Sequence, residues 1–322
     1  MRRLVLCLAV ALGALVTAPA ALADGGPFLV SQGGAGVANH DGRFHYVTVS
    51  SGRSTILERI QVDGGQVNGW IPLKGSWGTP ILGTTVSTGQ GLSRDGRTLV
   101  LASTAAAFSS PSRFLVVDTR RMRIIRTIAL RGSFSFDALS PDASRMYLIQ
   151  YTNGASHDLS HYIVRNYDMR ASRLLPGKIA DRAEKEESMA GYAVTRTAST
   201  GGRWVYTLYQ KPSGEPFVHA LDTVGATAYC IDLPKTSGLY NIVLSLRNGD
   251  RTLALRWRSG RPWLNVATGS WRISYPSSGF PWAWVGAGIG GGLALLAAGA
   301  LLLRRRRGQE LEEHTRQELG LA

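Results

Sequence analysis

The chain has 322 residues, 44% of them hydrophobic and 18% charged, a composition that buries a sizeable core and excludes wholesale disorder. Two cysteines exclude a disulfide scaffold and a cysteine-rich zinc protein. The formal net charge of +14 invites a nucleic-acid reading, which the placement of the charge along the chain argues against.

The first residues, Met1-Arg2-Arg3, precede an apolar run from Leu4 to Val16, and Ala21-Leu22-Ala23 follows. A basic start, a short apolar stretch and a small-residue site predict a secretory signal peptide over 1–23, cleaved after Ala23 with Ala21 and Ala23 in the peptidase subsites. A retained anchor helix is the alternative. A domain over 24–276 is then expected outside the cytoplasm.

Next in chain order comes a series of repeats. A tight turn recurs as Asn39-His40-Asp41-Gly42, Ser93-Arg94-Asp95-Gly96, Ser140-Pro141-Asp142-Ala143, Ser199-Thr200-Gly201-Gly202 and Arg247-Asn248-Gly249. Asp-Gly between two apolar stretches is a strong hairpin signal, because glycine adopts positive φ at low cost. Each turn is followed by an alternating strand, such as Phe44–Val49, Thr98–Leu101 and Trp204–Leu208. A third strand (Phe114–Thr119, Phe217–Thr223) and a fourth (Ile124–Leu130, Ala228–Leu233) complete the unit. Five such units of four antiparallel strands predict an all-β protein built as a β-propeller, since one such sheet cannot bury both of its faces alone. Phe28–Ser31 could add a strand that fastens the ring.

The segment from Phe114 to Tyr151, with Val-Val-Asp-Thr (116–119) and Leu-Ser-Pro-Asp-Ala-Ser-Arg-Met-Tyr (139–147), resembles the YVTN-type propeller repeat, a relative of WD40-like and TolB-type repeats. Gly191 to Pro234 is similar to a block of secreted, single-span propeller proteins of actinobacteria and relatives. That resemblance implies architecture and address, and no activity.

Candidate chemistry is sparse. His157 and His161 lie four apart in the expected loop Thr152–His161, and with Asp158 could ligate a divalent metal; solvated loop histidines are the plainer reading. Glu184, Glu186 and Glu187 fall in a charged connector without calcium-loop spacing. Asp118 and Asp222 recur at equivalent strand ends and should bind backbone amides of the following turn. His219 and Cys230 fall on strands and should be packed, the histidine with its hydrogen bonds satisfied. No nucleophile elbow, P-loop or zincin motif is present, and no cofactor is expected.

The second long apolar stretch, Phe280 to Leu303, has 24 residues. At about 1.5 Å per residue it spans a hydrocarbon core of about 30 Å. Trp282 and Trp284 stand at its outer end and Arg304, Arg305, Arg306 and Arg307 follow its inner end, the arrangement of a single-pass membrane helix with a cytoplasmic tail. The expected segments are therefore a linker and transmembrane helix over 277–303 and a basic tail over 304–322. Gly286/Gly290 and Gly288/Gly292 form GxxxG pairs that would permit a homodimer. Removing Arg2, Arg3 and the tail's net +1 from +14 leaves +11 on the external domain. A basic domain at that address meets anionic headgroups and wall polymers and has no nucleic-acid partner. The expectation is a cell-membrane-anchored binding module for an envelope polymer, glycan or partner protein. The alternative is a metal-assisted hydrolase or lactonase-like enzyme with its site in the propeller funnel.

Overall fold

The computed structural model describes residues 28–34, 36–82, 90–106, 110–153, 158–183 and 189–276. The signal segment, the apolar stretch with Trp282 and Trp284, the arginine run, His157 and the three connector glutamates lie outside them. A first compact unit ends at Ser274. No helix among the described residues is long and apolar enough to cross a membrane.

The turn residues punctuate the described residues into 22 strands. The first, β1 (Phe28–Ser31), stands apart from the repeats. Sheet one is β2 (Val37–Ala38), β3 (Phe44–Ser51), β4 (Ser54–Gln61) and β5 (Val67–Lys74). Sheet two is β6 (Trp77–Leu82), β7 (Thr98–Ser103), β8 (Ser112–Asp118) and β9 (Arg123–Leu130). Sheet three is β10 (Phe134–Leu139), β11 (Arg145–Asn153), β12 (Asp158–Asp168) and β13 (Arg173–Leu174), with β14 (Met189–Ala190) also paired to β12. Sheet four is β15 (Tyr192–Ala198), β16 (Trp204–Gln210), β17 (Pro216–Asp222) and β18 (Thr227–Asp232). Sheet five is β19 (Ile242–Arg247), β20 (Thr252–Trp257), β21 (Pro262–Ala267) and β22 (Ile273–Ser274).

Within each sheet the strands pair antiparallel in chain order, as hairpin connections require. The expected five units are all present. β1 departs from expectation: it pairs antiparallel with β6, Phe28 opposite Leu82 and Ser31 opposite Thr79, and so extends sheet two on its inner side. It does not fasten the first unit to the last.

Four clusters of buried side chains stack the sheets face to face. Leu57 and Leu73 meet Leu99 and Val117 between sheets one and two. Val100 and Phe114 meet Phe134 and Met146 between two and three. Tyr147 and Tyr162 meet Tyr209 and Phe217 between three and four. Leu208 and Val218 meet Leu253 and Leu264 between four and five. Among the described residues no such cluster joins sheet five to sheet one. This serial stacking explains why the second strands are buried on both faces: Leu99, Val100 and Leu101 are all at 0% exposure, where a sheet with one wet face would alternate. Meandering four-stranded sheets stacked in series, with first strands converging on a shared interior, form a β-propeller.

Candidate functional site

Four of the five recurrent turns, those beginning at Asn39, Ser93, Ser140 and Ser199, are built alike. The fourth residue of each donates its N–H to the carbonyl of the first, at 3.0 Å for Gly42 to Asn39, 2.9 Å for Gly96 to Ser93, 2.9 Å for Ala143 to Ser140 and 2.8 Å for Gly202 to Ser199. The side chain of the first residue then accepts the N–H five positions on, Phe44 to Asn39, Thr98 to Ser93, Arg145 to Ser140 and Trp204 to Ser199. Ser, Asn and Asp suit these places because their short side chains mimic a backbone turn. Asp118 and Asp222 do what their recurrence predicts. Each accepts two N–H groups of the next turn, Arg120 and Arg121, or Val224 and Gly225. Asp168 does the same for Arg170 and Ala171, a third instance that the motif search missed because Met169 replaces the threonine. Thr119 and Thr223 then donate back to the carbonyls of Gly96 and Gly202, tying the third strand to the repeated turn.

These turns ring the mouth of a central funnel of about 340 Å³, lined by residues of sheets one to four. Counted back three residues from the turn start, Gln90, Asp137 and Arg196 hold the equivalent inner position in sheets two, three and four. They meet in one network. A bulge between Phe136 and Ala138 frees Asp137 from the ladder. Arg196 donates to the Asp137 carboxylate and backbone carbonyl, to Gln90 Oε1 at 2.8 Å and to Thr207 Oγ1 at 2.9 Å. The Arg196 and Asp137 side chains are 9% and 2% exposed, so two buried charges neutralise each other at the funnel wall. Sequence inspection missed this network, although aligning the units on their turns places three polar residues at one otherwise small or apolar position.

His40 and Arg94 touch each other at the mouth. Among the described residues lining the funnel Asp137 is the one carboxylate, and Arg196 already holds it. The Arg94 charge is therefore uncompensated by the funnel wall.

The proposed metal ligands are not gathered by the described structure. Among the described residues no group of three or more His, Cys, Asp or Glu is placed to hold an ion. His161 lies within β12 opposite Ala190, in a strand where a loop was expected. The Asp158 backbone opens the same strand, and His157 lies outside the described residues.

A second cavity of about 300 Å³ lies between sheets three and four, lined by Ile179, Met189, Phe217 and Cys230 among others. Cys230, expected to be buried, is only half-buried on its wall. The Asp181 carboxylate accepts the Cys230 N–H at 2.8 Å. His219 is buried, with Nδ1 at 3.8 Å from Cys230 Sγ. Its Nε2 has no hydrogen-bond partner among the described residues, against the expectation of a satisfied histidine. Burial pushes its pKa down to about 4, keeping the ring neutral.

No family model matches the chain, and no curated protein matches it. Solved structures with a similar fold include the β-propeller domain of Cps50 (Swd1) from Myceliophteria thermophila, at 13% identity and TM-score 0.43, covering 72% of this chain and 67% of that one. TolB from Acinetobacter baumannii is similar at 10% identity and TM-score 0.44, over 78% of this chain and 55% of TolB. Kuenenia stuttgartiensis hydrazine synthase is similar at 15% identity and TM-score 0.40, over 77% and 78%.

Proposed function

We propose that the chain is a membrane-tethered extracytoplasmic binding module that takes an anionic group of an envelope polymer, glycan or partner protein into the mouth of the central funnel. The observation that carries this reading is the Arg94–His40 pair at a mouth whose one lining carboxylate among the described residues, Asp137, is already neutralised by Arg196. Loops from four sheets converge there, so several side chains can be varied around one fixed charge. The tether rests on the apolar stretch and its arginine stop, and the address on the leader at 1–23.

The test is binding of the full chain, in detergent, to a soluble polyphosphodiester of the wall-polymer type at two ionic strengths. Arg94→Ala should weaken binding about tenfold, as expected from ~1.5 kcal/mol for a charge-assisted hydrogen bond, and wild-type affinity should fall as salt rises. Binding that ignores both Arg94→Ala and salt overturns the funnel assignment. A rise in Tm with Zn²⁺ or Mn²⁺ that disappears in His157→Ala/His161→Ala would favour the hydrolase instead.

A further inference from the structure

The funnel and the exit of the chain lie at opposite ends of sheet five. The Asp250 carboxylate in the turn between β19 and β20 accepts the N–H and hydroxyl of Thr200 in the neighbouring turn at the funnel mouth, so this turn belongs to the funnel end, β20 runs away from it and β21 returns. β22 is antiparallel to β21, with Ile273 opposite Val266 and Ser274 opposite Asn265. The chain therefore leaves the sheet heading toward the β20–β21 hairpin, Trp257-Arg258-Ser259-Gly260-Arg261-Pro262-Trp263. Phe280, the start of the apolar stretch, follows Ser274 by six positions, which fully extended reach about 20 Å.

The hairpin has the composition of an interfacial anchor. Arg258, Ser259, Gly260, Arg261 and Pro262 are exposed at its tip. Trp257 and Trp263 are half-buried at its base, their rings 6.3 Å apart, and the Arg261 guanidinium lies 5.4 Å from the Trp257 ring centre. The turn is closed by Gly260 N–H to the Trp257 carbonyl at 2.8 Å and Trp257 N–H to the Arg261 carbonyl at 2.9 Å. From Arg251 to Pro276 the chain has five arginines and no carboxylate. Indole rings favour the headgroup region, and arginines favour anionic lipid.

We propose that the β20–β21 hairpin tip docks on the anionic lipid surface into which the chain is anchored, turning the funnel mouth away from the bilayer. This rests on the membrane-span reading of 280–303, and the experiment separates the two. The full chain carrying Ser259→Cys in a Cys7→Ser/Cys230→Ser background is labelled with an environment-sensitive fluorophore and reconstituted into nanodiscs of phosphatidylglycerol or of phosphatidylcholine. Asn248→Cys, at the funnel end of the same sheet, is the control position.

A blue shift and quenching by headgroup-region spin-labelled lipid at position 259, in phosphatidylglycerol and not at position 248, is the expected result. Added Arg258→Gln/Arg261→Gln should lower the docked-to-free ratio roughly thirtyfold, the equivalent of about 2 kcal/mol for two arginines at an anionic surface. A water-like spectrum at 259 in chains that have entered the discs overturns the docking and leaves the anchor standing. Equal shifts in both lipids overturn the anionic-lipid assignment. Failure of the chain to enter discs overturns the membrane reading beneath it.

Discussion

His219 gives the fold a specific acid sensitivity. Its pKa is about 4 in the folded chain against about 6.5 for an unperturbed histidine. The folded value is the lower one, so the stabilisation is complete above about pH 6.5 and is lost as pH falls through 4. A shift of this size corresponds to about 3 kcal/mol at neutral pH. Denaturant unfolding at pH 7.5, 5.5 and 4 should show this loss, and His219→Gln should flatten it. Asp142, held at about 2 by hydrogen bonds from Ser140 and Ser144, acts in a separate window, contributing above its ordinary value of 3.8 and losing that as pH falls toward 2. Arg196→Ala should destabilise by about 3–5 kcal/mol, because it strands the buried Asp137 carboxylate, and a parallel pH 7.5 melt checks this. Arg196 did not announce itself, and His219 was rightly expected to be packed but wrongly to be satisfied: the chemistry of His219 comes from burial, and that of Arg196 from a partner 59 positions away in another sheet. A linear pattern shows the residue types and not their neighbours. Cys230 illustrates the converse. Its apolar sequence context suggested burial, yet its wall position predicts that a small maleimide adds to it in the native chain, a single mass increment on the mature protein without denaturant.

The strands and turns were far more legible, because a turn is specified by residues adjacent in sequence. Ser or Asn at the first place, Asp at the third and Gly at the fourth each have a local reason. Ala143 is the exception that tests the rule. It sits at φ 54° where Gly42, Gly96 and Gly202 occupy the other units. Ala143→Gly should therefore stabilise the protein by about 1 kcal/mol, the relief of a side chain held in the left-handed region, measured as a shift in urea midpoint. The loop expected over Thr152–His161 was misjudged because β11 and β12 extend past the lengths of their counterparts, to nine and eleven residues. Polar residues such as Asn153 and Asp158 read as loop until their pairing with each other supplies backbone partners.

At the scale of the molecule, five sheets in series were readable from the spacing of the turns, while the position of β1 was not. Its four residues carry no register signal, and its partner β6 lies some fifty residues away. The serial stacking leaves sheets one and five each with one sheet neighbour joined by a buried cluster among the described residues. Val49, Val67 and Trp70 accordingly remain exposed on the far side of sheet one, at 39%, 48% and 60%. Hydrogen exchange of the full chain should show the amides of sheets two, three and four outlasting those of one and five, since local opening follows the amount of packed apolar surface. Uniform protection across all five would show that the end sheets are as firmly held.

The shortness of β22 has a mechanical consequence. If the funnel holds a ligand fixed to the envelope while the chain beyond Pro276 is fixed in the bilayer, tension enters the domain through β22. The pull is directed along that strand, away from the funnel, so it slides β22 past β21. Within the two strands, the pairs Asn265 with Ser274 and Val266 with Ile273 resist the slip, and the Ala267 N–H to Arg272 carbonyl bond and the packing of Trp271 on Trp204 stand behind them. The last strand would yield first and lengthen the tether by roughly 3.3 Å per residue released, while Leu264 and Val266 keep the rest of sheet five locked to sheet four. The domain would thus have an overload release at its point of attachment, sparing the ring.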